Sequence, residues 1–449
     1  KVVNAKELCR KLAEMNWDYA EPGLLNWDVI SEWNLLSEDE NFEYAGTNPC
    51  AEEPLPAGGS CLLGSINLSE FIINPFSNTK EFDFIGFRDA IRQGVIALNE
   101  VLHEGLPLHP LEEQRKSVND WRQIGLGILG WHDALIKLGI RYGSDESLAL
   151  ADTIGFQMVD TAIASSAELV DRYGRYPKYN SEAVMASEFF YENTTDTTKE
   201  LVREKGLANS QLLTIAPTGS IGTMLGVSTG IEPIYNISYN RKTESLHGKE
   251  QYYKVYTPIV KEYMETMGIK SEEYLPDFFN TAMDLNYKER IAMQSKWQKH
   301  IDASISSTVN VPNDFTVDQV EDLYMLAWEK GLKGVTIYRS GCKRDGILTN
   351  EDNPDESVIY TPTLEWGSTI QTSDDLIGLK RKIMSGCGSL HVLAWFEPVE
   401  GRLMEIYLSK GASGGCNSWM TGSSRIMSAG MRTGMSFDYL IDQLKSAPS

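Results

Sequence analysis

The stretch from Thr316 to Tyr338 spells out one helix–strand unit. Thr316-Val-Asp-Gln319 has the form of a capping box, Val320, Leu323, Leu326 and Ala327 keep helical spacing, and Gly331 is a natural helix stop. Val335–Tyr338 then reads as a strand. The same grammar recurs upstream. Cys61–Leu68 reads as a buried strand, Arg122–Gly139 is Gly-rich and apolar and then helical, and Gln211–Ala216 is a short apolar strand followed by a turn and a helix start. Such alternation restricts the chain to an α/β architecture. At the start, Asn4-Ala-Lys-Glu7 is a second capping-box pattern, and Leu8, Cys9 and Leu12 follow at helical spacing, so Cys9 is expected on an apolar face. The pattern breaks at 349–373, where Glu351, Asp352, Asp355, Glu356 and two prolines form an acidic linker. Residues 374–449 read as a small α+β module with strands Leu390–Phe396 and Leu403–Leu408, a turn at Gly411–Gly415 and two helices parted at Gly434.

A chain of 449 residues buries a sizeable core and usually divides into domains. Its net charge of −22 argues against a general nucleic-acid binder, yet one local pocket can still hold a small anion. No apolar run reaches about 18 residues, so no membrane span is expected. The six cysteines (9, 50, 61, 342, 387 and 416) are scattered, unlike a secreted disulfide scaffold, and no signal-peptide core opens the chain. A reducing, cytoplasmic compartment is the expectation.

The chemistry concentrates in TNPCAEEPLPAGGSCLLGSINLSEF, Thr47–Phe71. A zinc site is disfavoured, because there is no CxxC and no histidine before His103. A Cys–His nucleophile would need a base from elsewhere, His132 or His300, and a carboxylate two residues from Cys50 holds its thiol above about 8.5. A protonated thiol suits a third chemistry, in which cysteine loses a hydrogen atom. A carboxylate then serves as base, an amide holds the substrate and a second cysteine supplies electrons. Asn48, Cys50, Glu52 and Cys61 provide those parts, and on an extended segment 48, 50 and 52 point one way while Glu53 points the other and reads as structural. Pro217, Thr218, Gly219, Ser220 and Ile221 form a turn at a helix start, either an anion site or simply a turn with a serine cap. The spacing Gly125, Gly127, Gly130 matches G-x-G-x-x-G in letter only, without a clear βαβ unit and distal acid, and is read as packing.

Taken together, NPCAEEPL…SCLLGSINL, RQIGLGILGWHDALIKLGI, APTGSIGTMLGVSTGIEP, HIDASISSTVNVP and GLKGVTIYRSGCKRDGIL resemble, in order, the catalytic subunits of ribonucleotide reductases. The end, with SGCGSLHV and GASGGCNS, is similar to the small C-terminal domain of the adenosylcobalamin-dependent (class II) enzymes. The resemblance implies that 1–348 is the second half of a ten-stranded α/β barrel, with a finger loop near 47–56. It implies Cys50 as the thiyl radical taking the ribose 3′-hydrogen, Glu52 as base on the 3′-hydroxyl, Asn48 as the ribose-binding amide, Cys61 as half of a redox pair, and 217–221 as the phosphate loop. The cofactor implied is adenosylcobalamin, with no residues to assign to it. The substrate is a ribonucleoside di- or triphosphate and the reductant thioredoxin-like.

Class I subunits carry two adjacent tyrosines on a late strand, whereas Val335-Thr-Ile-Tyr338 has one, which favours class II. A class I large subunit with another radical route, and a non-catalytic nucleotide-binding partner, are the alternatives. No glycyl-radical loop is evident. The strands that precede the finger loop in the family, with the other redox cysteine, are not in this sequence, and Cys9 in its helical pattern cannot replace that cysteine. A split enzyme, assembled with a second chain into an oligomer, is therefore expected, with a re-reducing cysteine tail beyond Ser449. Cys342, Cys387 and Cys416 are structural by default. Cys387 and Cys416 flank the module's strands and are candidates for zinc or thiol delivery.

Overall fold

A computed structural model describes residues 4–244, 250–343, 376–385, 388–397, 403–410 and 417–432. The chain divides into two compact units, Lys1–Asn350 and Glu351–Ser449.

The first unit opens with helix α1, Ala5–Tyr19, capped by Asn4, whose side chain accepts from Lys6 N rather than closing the full box. Its inward stripe runs through half-buried Cys9 to Ala13 and Asn16, while Leu8 is 59% exposed beside it. Short strand β1 (Leu24–Leu25) follows, then the two-residue strands β2 (Gly46–Thr47) and β3 (Pro54–Leu55), and β4 (Leu63–Asn67). Helix α2 (Phe84–Gly105) buries Phe87, Ile91 and Val95 and leads towards β5 (Gly125–Leu129) and α3 (Trp131–Leu138).

β4 and β5 run parallel, Leu63 opposite Gly125 through Asn67 opposite Leu129. On the far side of β5, Leu126 bridges Leu213, and Ile215 in turn bridges Ile305, both in parallel sense. Strand β6 (Thr308–Val311) continues from there and pairs parallel with β7 (Gly334–Arg339). Five parallel segments thus lie side by side: 63–67, 125–129, 212–215, 303–311 and 334–339. Antiparallel β1 covers the β7 edge. At the opposite edge, β4 pairs only with β5 among the described residues.

That edge position corrects one expectation. The strand expected buried over Cys61–Leu68 begins at Leu63, which is 40% exposed, and Cys61 is exposed as well, because only one neighbour covers it. The run 211–216 contributes only two isolated bridges, although it sits centrally. By contrast β5 is buried throughout, and its glycines are there for close approach: a Cβ on Gly127 would stand 2.2 Å from Thr214 O, and one on Gly125 2.4 Å from Thr214 Cγ2. Helix α4 (Val317–Glu329) is closed by both bonds of the Thr316/Gln319 capping box, as the sequence predicts.

The second unit is an antiparallel meander, β8 (Ile377–Ser385), β9 (Gly388–Phe396) and β10 (Leu403–Lys410), followed by helix α5 (Asn417–Arg432). Ile406, Met427 and Met431 form its small core. Strand β8 was not expected, because Lys380, Arg381 and Lys382 interrupt its apolar pattern. The acidic linker, Cys387, Cys416 and the second helix after Gly434 lie outside the described residues.

Candidate active site

β2 and β3 pair antiparallel, Gly46 with Leu55 and Thr47 with Pro54, so residues 48–53 form a hairpin loop. It is not extended. Ala51 takes φ +67° and its N–H donates to Asn48 O at 3.0 Å, while Asn48 Oδ1 accepts from Glu53 N at 3.0 Å. Alternation along a strand therefore does not decide which way these side chains face. The turn leaves Cys50 exposed and sends both carboxyls inward, Glu52 at 2% and Glu53 at 1% exposure.

The loop is fastened to the central strands through its backbone. Glu52 O accepts from Thr214 Oγ1 at 2.6 Å and from Ser304 N at 3.0 Å. Glu53 Oε2 accepts from Gln211 Nε2 at 2.9 Å, and Gln211 Oε1 accepts from Gln123 Nε2 at 3.1 Å. Glu52 Oε2 and Glu53 Oε1 are buried with no partner among the described residues.

Burial first, then the charges of Asp302 and Glu52, push Glu53 well above the usual carboxyl range, with Gln211 and Thr214 pulling weakly the other way. Burial, then Glu52, raises the Cys50 thiol. Burial, then Glu53, Glu52 and Cys50, raises Cys61 to about 11. The Cys50 thiol is raised as its spacing from Glu52 predicts, but desolvation outweighs the neighbouring charge. Both thiols are thus held protonated at neutral pH. Cys61 also lines a cavity of about 310 Å³ with Leu102, His109, Val118 and Gln123.

Sequence reading missed several participants. Glu53 was set aside on the extended-chain argument. Asp302 accepts from Leu212 N at 2.8 Å and Leu213 N at 2.7 Å, and Lys333 Nζ donates to Asp302 O at 2.6 Å and Ala303 O at 2.5 Å. Burial pushes Asp302 up and Lys333 down. The signal available was a charge set inside each apolar strand motif, HIDASIS and GLKGVTIY.

The strand holding Thr214 runs straight into the second expected site. Thr218 sits at φ +51° and its Oγ1 accepts from Gly230 N at 2.9 Å. The short helix Gly219–Leu225 follows, its first bond from Gly222 N to Thr218 O. The amides of 219–221 precede that bond, and Gly219, Ser220 and Ile221 are exposed. Ser220 is not the cap, and no side chain fills that role. The histidines weighed as bases are committed elsewhere: His132 Nδ1 accepts from Ile234 N at 3.0 Å, and His300 is held between Asn193 and Asp152. On β7, Ile337 is fully buried beside Tyr338. Among the described residues no group of His, Cys, Asp or Glu could hold a metal ion.

The described strands form a parallel βα array with a thiol–carboxyl hairpin loop fastened to its middle members. The family profile described as "Ribonucleotide reductase, barrel domain" matches residues 1–338, and the TSCPD domain profile matches 364–449. The chain belongs to the ribonucleotide reductase family. It is 30% identical over 368 residues to a protein of Thermoplasma acidophilum named vitamin B12-dependent ribonucleoside-diphosphate reductase, covering 78% of this chain and 44% of that one. A protein of the same name from Mycobacterium tuberculosis is 28% identical over 346 residues, covering 74% and 46%. The chain thus spans less than half the length of these curated relatives. The class Id ribonucleotide reductase alpha subunit of Actinobacillus ureae shares the fold, at TM-score 0.58 and 22% identity over 75% of this chain and 61% of that one. No described helix is long and apolar enough to cross a membrane.

Proposed function

We propose that this chain carries the radical and base side of a ribonucleotide reductase active site, converting ribonucleotides to 2′-deoxyribonucleotides. The carrying observation is the pairing of an exposed, protonated Cys50 thiol with a buried Glu52 whose Oε2 lacks a partner. As a thiyl radical, Cys50 takes the 3′-hydrogen from ribose and later returns it. Glu52 accepts the 3′-hydroxyl proton. Asn48, whose Oδ1 is occupied by Glu53 N, has its Nδ2 for the ribose hydroxyls. Cys61 supplies reducing equivalents as half of a redox pair. The amides after Thr218 bind the phosphates, which fits their place ahead of the first helical bond.

Relatives named vitamin B12-dependent support adenosylcobalamin as the radical source. The exposed hairpin tip fits a bulky cofactor, and Ile337 beside Tyr338 leaves no tyrosine pair for a relay. When bound, the cofactor supplies the one-electron oxidation of the thiol. The β4 edge, which has no second neighbour among the described residues, supports completion of the sheet by further strands from a second chain, with the other redox cysteine. A thioredoxin-like protein restores the thiols.

The test is this chain combined with that second half, adenosylcobalamin and a dithiol. Cys50→Ala abolishes deoxyribonucleotide formation and leaves nucleotide binding unchanged. Turnover surviving in that variant, or wild-type turnover without the cofactor, overturns the corresponding part.

A further inference from the structure

Glu53 has no task in the mechanism above, yet its carboxyl is buried at 1% exposure. Its Oε2 has one donor, Gln211, and its buried Oε1 has none. Oε1 lies where Gly125 lacks a side chain: a Cβ there would stand 2.4 Å from it and 2.9 Å from Leu63 Cδ2. Gly125 N also donates to Leu62 O at 2.8 Å. The carboxyl therefore converges on one glycine with Leu62 and Leu63, the two residues that follow Cys61. From its other oxygen, Gln211 and then Gln123 lead to the wall of the cavity that Cys61 lines.

We propose that Glu53 stores a proton for Cys61 and delivers it to the sulfur when the Cys61 disulfide is opened by an incoming dithiol. This rests on the reading of Cys61 as a redox cysteine. A thiolate of the dithiol attacks the other sulfur of the disulfide, and the S–S bond breaks with its electron pair leaving on Cys61. The Glu53 proton goes to that sulfur, and the carboxylate regains a proton from solvent. The second thiol of the dithiol then closes the reductant's own disulfide and frees the partner cysteine, so two electrons pass and the protons balance. The need is chemical: burial and the neighbouring carboxylate charges, that of Glu53 first among them, raise the Cys61 thiol and make its bare thiolate a poor leaving group, and a protonated Glu53 both removes its own charge and supplies the proton. Glu52, occupied with the substrate hydroxyl, is spared a second duty.

The experiment needs no ribonucleotide turnover, so its failure is separate from failure of the proposed function. The pH dependence of iodoacetamide alkylation at Cys61 in the full chain is followed by peptide-resolved mass spectrometry. Glu53→Gln keeps the hydrogen bond with Gln211 but holds no proton, and the Cys61 midpoint falls, giving about tenfold faster alkylation at pH 8. Glu53→Asp keeps the high midpoint. An unchanged midpoint in Glu53→Gln overturns the proposal, since a merely structural role would not move it. Should the variants not fold, the wild-type profile decides: two coupled steps, carboxyl then thiol, support the proposal, and a single step overturns it.

Discussion

β4 and β5 are neighbours in register, and both mix glycine with aliphatic residues: Leu-Gly-Ser-Ile-Asn against Gly-Leu-Gly-Ile-Leu. β5 is buried from end to end, whereas β4 begins with an exposed Leu63 and is otherwise half-buried. Composition hardly separates them. What separates them is the second neighbour: β5 has the strand at 212–215 on its far side and β4 has none among the described residues. A glycine in β5 is a steric necessity, and a glycine in β4 is not.

The sharpest test of that contrast is a pair of alanine variants. Gly127→Ala drives a Cβ to 2.2 Å from Thr214 O, a backbone atom that cannot step aside, and is expected to cost about 3 kcal/mol or more, up to loss of folding. Gly64→Ala meets only Leu98 at 3.4 Å and is expected to stay within about 1 kcal/mol. Urea denaturation compares the two, and equal costs would break the distinction.

The helix after β5 also buries a titratable group. Burial, with Arg290 adding to it, depresses His132 from 6.5 to about 3. Below pH 6.5 the unfolded chain therefore binds more protons than the folded one. The stability His132 contributes is complete above that pH and is lost as pH falls through the window towards 3. Buried Asp133 and Glu232, both raised, act in the opposite sense. The difference between wild type and His132→Gln isolates the histidine. Between pH 6.5 and 4 the variant is expected to lose about 3 kcal/mol less than wild type. Parallel melting curves would refute the burial of an uncharged imidazole.

At the β4 edge the expected effect is on assembly. Ser65→Lys should leave this chain folded but weaken association with the complementary half about tenfold in sedimentation or size-exclusion titration. Unaltered association would mean that the edge is not the joint. Smallest of all, Thr214→Val removes the 2.6 Å bond to Glu52 O and is expected to cost about 1 kcal/mol, with faster amide exchange confined to residues 48–53.

Much of this was legible in the sequence where local rules decide. The Thr316 capping box marked the start of α4, and Gly331, at φ +72°, its end. Asn48, Cys50 and Glu52, read from the sequence as parts of one loop, do share the hairpin loop 48–53. What the sequence hid depends on distant partners or on an unusual backbone. Ala51 takes a left-handed conformation that glycine would normally announce, so the inward turn of Glu53 could not be foreseen. Asp302 and Lys333 meet across two strands about 30 positions apart, and β8 carries its basic residues in the middle of the strand.

The loop of 48–53 is held by Thr214 and Ser304 at the main-chain oxygen of Glu52, not at its carboxylate. Its anchor is therefore indifferent to which side chain stands at that position. Chemistry and scaffold are separable here in a practical sense: a shorter acid, an amide or a thiol analogue can be exchanged into the loop as into a socket, and whatever changes will report the group exchanged rather than a displaced frame.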